Sequence, residues 1–101
     1  MGVSLAEARG IALGLAGSEE KDHHGRASFR VRGKIYATVP DPTHLNVMLD
    51  DAGIRAAVDR WPETCDFVHW GAKLAAVSVD LEGATVPMLT SLLGDAHARR
   101  A

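Results

Sequence analysis

A single cysteine, Cys65, stands in a chain of 101 residues, so no disulfide can close within it. That excludes a disulfide-stapled secreted domain and makes a reducing cytoplasm the expected location. No apolar run approaches the ~20 residues of a membrane span, so no membrane association is expected. Near the N-terminus no basic stretch precedes a long apolar one, as a signal peptide would require. Ala6 stands where a myristoylation signal after Met1-Gly2 needs Ser or Thr. Neither sign of charge dominates: 11 basic and 13 acidic residues net −2, which argues against an unspecialised, strongly basic nucleic-acid binder. Catalytic motifs are missing as well. There is no glycine-rich phosphate loop, no G-x-S-x-G elbow and no paired-carboxylate motif, so neither an enzymatic activity nor a cofactor is expected.

A chain of this length holds one domain and one modest core, with roughly 65% of its extended surface buried. Residues 1–101 therefore read as a single unit, without repeats or linkers. Ser4 and Glu7 have the spacing of a capping box, and Leu5, Ala8, Ala12 and Leu15 follow at helical intervals. Ser18 to Gly25 reads as a polar connection. The period then changes to two in Ser28–Val31 and Ile35–Val39. A three-residue loop, Arg32-Gly33-Lys34, puts Phe29, Val31, Ile35, Ala37 and Val39 on one face and Arg30 and Tyr36 on the other. Pro40-Asp41-Pro42 reads as a turn, and Leu45, Val47 and Leu49 as the inward residues of a third strand. Asp50 or Asp51 caps a second helix, with Ile54, Ala57, Val58 and Trp61 on its apolar face and Pro62 ending it. Cys65–Trp70 and Leu74–Leu81 read as two further strands. A last helix starts near Thr85, with Pro87 in its first turn. The expected fold is α+β, one two-layer domain ordered α-β3-α-β2-α, with helices on one face of an antiparallel sheet.

The net charge conceals an uneven distribution. From His23 to Pro40 the charged residues are Arg26, Arg30, Arg32 and Lys34, with no acid, so this segment carries +4. The other seven basic residues against thirteen acids leave −6 elsewhere. In a hairpin these cations offer charge to DNA phosphates, and Tyr36 offers a stacking face. Lys73 extends the candidate DNA-contacting set of Arg26, Arg30, Arg32, Lys34 and Tyr36. The competing reading is a solvated strand face that guards against edge pairing. Glu19, Glu20, His23 and His24 are suitable metal ligands, but adjacent histidines diverge in a regular element and no second ligand pair follows; no metal is expected. Cys65 and His69, four residues apart on a strand, lie roughly 13 Å apart, too far to form a nucleophilic pair. Trp61 continues a helix stripe and belongs in the core, whereas Trp70, before Gly71, has the setting of an exposed residue.

Glu19 to Thr38, EEKDHHGRASFRVRGKIYAT, resembles the signature region of the MmcQ/YjbR-like family of small bacterial proteins. The likeness continues through HLNVMLD at 44–50, the Trp61-Pro62 helix end, HWG at 69–71, VSVDL at 77–81 and the closing AHARRA. It implies a single antiparallel sheet similar to that of type III secretion chaperones, and DNA binding through a wing-like hairpin, here residues 26–36. The chaperone-like fold and the acidic balance point to the alternative: a non-enzymatic adaptor that takes a protein or peptide partner at a sheet edge or near Trp70. Nothing in the sequence marks a dimer face, so monomer and homodimer both stay open.

Overall fold

The computed structural model describes residues 2–101; Met1, where the myristoylation reading begins, lies outside the described residues. Among the described residues the order is α1 (Leu5–Leu13), β1 (Ser18–His23), β2 (Arg26–Val31), β3 (Lys34–Asp41), β4 (His44–Val47), α2 (Asp51–Arg60), β5 (Cys65–Trp70), β6 (Lys73–Asp80) and α3 (Val86–Arg100). The strands form one antiparallel sheet in the order β1-β2-β3-β4-β6-β5. The fold is α+β as expected, with one strand more.

The helix ends follow the sequence closely. The Ser4 hydroxyl accepts from the Glu7 amide at 3.0 Å, and the Glu7 carboxylate accepts from the Ser4 amide at 3.0 Å. Asp50 accepts from the Gly53 amide at 2.7 Å and caps α2; Thr85 caps α3, whose first turn holds Pro87. The apolar stripes of the helices bury Ala8, Ala12, Ile54, Ala57, Leu89 and Leu93 against Phe29, Leu45, Val47, Val77 and Val79, in one contiguous core.

Three local expectations are corrected. The polar connection from Ser18 to Gly25 is mostly strand β1, paired along its length with β2. Its lack of apolar residues hid it, yet an edge strand exposed on both faces needs none, and its charges discourage further pairing. The turn after β3 is also displaced: β3 runs through Pro40 to Asp41, and the chain reverses at Pro42-Thr43.

The third correction concerns the β2–β3 hairpin. Arg32 and Gly33 alone form its turn, at φ 54° and 76°, because Val31 pairs with Lys34. Two consecutive left-handed residues give the right-twisted reversal that matches paired strands. Arg30 then pairs with Ile35 and Phe29 with Ala37, which leaves Tyr36 as the extra residue of a β-bulge. Phe29, Val31, Ala37 and Val39 face the helices as expected. Tyr36 joins them and is fully buried, while Ile35 passes to the opposite face beside Arg30.

Candidate functional site

The bulge decides the fate of the candidate residues. Tyr36 is withdrawn from the exposed surface. Its hydroxyl donates to the Ala12 carbonyl at 3.1 Å and lies 2.8 Å from Ser18 Oγ. The His97 ring meets it edge-on at 5.6 Å, and His97 Nε2 donates to the Ala16 carbonyl at 2.6 Å. Burial raises the Tyr36 pKa, against a lowering by its bond to Ser18. Tyr36 therefore ties α1, β1 and α3 together and has no face to offer a nucleic acid.

The other candidates separate into two groups. Arg26, Arg30 and Lys34 converge on a hollow of about 660 Å³ on the sheet face turned away from the helices. Its apolar lining includes Ile35 and Met48, its polar lining Thr38 and Asn46, and Trp70 stands on its wall. Arg32 caps the turn outside the lining, and Lys73 is the register partner of Trp70 at the β5–β6 turn. Arg30 is aimed by its neighbour: its Nε donates to Ser28 Oγ at 3.2 Å, and Ser28, fully buried, donates in turn to the Lys21 carbonyl at 2.8 Å.

Two participants escaped the sequence. Arg100, from the last turn of α3, lines the same hollow, and His23 comes from the unforeseen β1. A basic residue at a helix C-terminus has a sufficient local reason in the helix dipole, so nothing in the sequence linked Arg100 to the hairpin. Its Nε is buried and has no hydrogen-bond partner among the described residues. The cations lining the hollow are Arg26, Arg30, Lys34 and Arg100, and no Asp or Glu lines it. Glu19, opposite Arg30 in register, directs its carboxylate to Lys21 Nζ at 3.7 Å. A concave, positively charged surface with an apolar floor suits an anion that carries a flat or apolar body.

The hairpin does not stand free of the sheet. β2 is paired along its length with β1, and β3 continues into pairing with β4, so the cations are displayed on a broad face. That differs from the wing expected from sequence, which would enter a groove as a two-stranded ribbon.

The remaining candidates have structural roles. Glu20 accepts from Arg9 Nε at 2.8 Å, tying β1 to α1. Cys65 is buried and its thiol is pushed up to about 11 by desolvation, which removes nucleophilic character at neutral pH. Asp41 bonds His44 Nδ1 at 2.9 Å and the Thr43 amide at 2.9 Å; these hold its carboxyl at about 2. No helix among the described residues is long and apolar enough to cross a membrane.

Residues 13–99 match the family model described as YjbR, a span from the end of α1 almost to the end of α3. No curated protein and no solved structure matched the chain.

Proposed function

The chain belongs to the YjbR family, and on that premise we propose that it is a non-enzymatic DNA-binding module of a reducing cytoplasm, holding phosphates on the open face of its sheet. The observation that carries this reading is the convergence of Arg26, Arg30, Lys34 and Arg100 on one hollow whose lining includes no carboxylate. Guanidinium and ammonium groups bind phosphate oxygens through charge-assisted hydrogen bonds. Arg32 and Lys73, both exposed, widen the footprint at the two neighbouring turns. The −6 carried outside the 23–40 segment repels DNA, so affinity at physiological salt falls in the micromolar range of non-specific binding.

A salt titration of duplex DNA binding, read by fluorescence anisotropy, tests the proposal. Three or four neutralised phosphates give a log–log slope of roughly −3, and affinity falls about 40- to 150-fold between ~50 and ~200 mM salt. The double substitution Arg26→Ala/Lys34→Ala flattens the slope by nearly two units. Both residues are exposed, so stability changes by about 0.5 kcal/mol or less. If neither duplex nor single strand binds at ~50 mM salt, or if the slope ignores the double substitution, the DNA reading fails.

A second reading rests on β5. It pairs on one side only, with β6, and carries the exposed Phe67 and Trp70. An extended peptide adds to that edge in this reading, which makes the protein a non-enzymatic adaptor.

A further inference from the structure

Within the DNA reading, on which this step rests, we infer that the hollow receives an unpaired base, which makes single-stranded nucleic acid the preferred ligand. Trp70 is 58% exposed, against the packed setting of Trp61 on the core side of α2. It forms the wall of a cavity that also contains Arg30 and Arg100. A ligand that offered phosphate alone would make no use of an indole face or of the apolar floor of Ile35 and Met48. A duplex keeps its bases stacked inside and presents a convex backbone, which cannot fill a concave site of about 660 Å³. A single strand supplies both parts. A splayed base stacks on Trp70 above the apolar floor, and Asn46 offers a donor and an acceptor to its edge. The neighbouring phosphates then meet the guanidinium groups of Arg30 and Arg100, which line the same hollow. Aromatic stacking beside a cationic track is how sequence-tolerant single-strand sites are built.

The test compares labelled thymidine oligonucleotides of about 15 nucleotides with a duplex of equal length at ~50 mM salt. The wild-type protein binds the strand about 5- to 150-fold more tightly than the duplex, the range expected from one stacked base. Trp70→Ala removes that advantage; Trp70→Phe, which retains a ring, keeps most of it. An abasic strand of the same length is insensitive to Trp70→Ala. Equal affinity for strand and duplex overturns the inference, as does a Trp70→Ala protein that binds the strand within about twofold of wild type. A duplex bound with the expected salt slope but without strand preference sinks this inference alone. Failure of both forms to bind sinks the DNA reading beneath it.

Discussion

Along β2 and β3 alternate residues enter two different environments. Toward the helices go Phe29, Val31, Tyr36 and Ala37, all buried, and the only polar group among them, the Tyr36 hydroxyl, is hydrogen-bonded. Toward the other side go Arg26, Arg30, Ile35 and Thr38, around a hollow open to solvent that Lys34 borders at the turn. One face obeys packing: volume matters and a polar atom is admitted only with a partner. The other face obeys electrostatics: charges of one sign sit close together at some cost in self-repulsion, as a surface does when it waits for a counter-charge. A residue that changes face changes rules, and the bulge at Tyr36 makes that exchange with Ile35.

The difference between the faces can be broken most severely from the packed side. Phe29→Ala opens a cavity in the middle of the core and lowers the unfolding free energy by about 3–5 kcal/mol in urea denaturation, a large part of what a small domain has. A loss below ~1 kcal/mol would contradict the placement of Phe29 under the helices.

Tyr36→Phe is a gentler cut across the same boundary. It keeps the ring and deletes the hydroxyl that serves the Ala12 carbonyl and Ser18, at a cost of about 1–2 kcal/mol. Its DNA affinity stays within about twofold of wild type, since the side chain faces away from the hollow. A tenfold loss of DNA affinity with unchanged stability would return Tyr36 to the binding face and undo the assigned bulge.

The smallest effect concerns pH, at the far end of the open-face strands. His44 and Thr43 hold the Asp41 carboxyl at about 2, below its usual range. A depressed folded-state pKa contributes stability above the unfolded value, near 4, and that contribution is lost as pH falls from about 4 to 2. Asp41→Asn flattens the acid limb of the stability profile in this window and leaves the neutral-pH hollow unaffected. An unchanged acid limb would show that the Asp41–His44 contact has no weight in solution. Asp41 lies at the surface, so solvent screening keeps the effect slight.

The sequence was legible where local rules suffice. The Ser4/Glu7 box, the Asp50 cap and Pro87 at the start of α3 rely on groups within a few residues of each other, and each stands where its spacing put it. The inward run of Leu45, Val47, Val77 and Val79 follows from period two, because burial on one face leaves a strand little freedom of register. β1 was hidden because hydrophobic alternation signals burial, and an edge strand of Ser18-Glu19-Glu20-Lys21-Asp22-His23 is not buried. Within the candidate site, Arg26, Arg30 and Lys34 were legible as a run of like charge, and Trp70 as an exposed aromatic. Tyr36 was misplaced because parity counting assumes that no residue is extra.

By itself, then, the sequence determined the helices, their caps, most strands and an acid-free cationic segment, all of which depend on neighbours close along the chain. Only the tertiary structure decided that Tyr36 turns inward, that β1 closes the sheet, and that Trp70 and Arg100 meet the hairpin cations around one hollow. The physical reason is that those outcomes depend on groups distant in sequence. His97 and Ala12 must arrive before the Tyr36 hydroxyl has a partner and a wall, and α3 must cross the sheet before its last arginine can reach the far face.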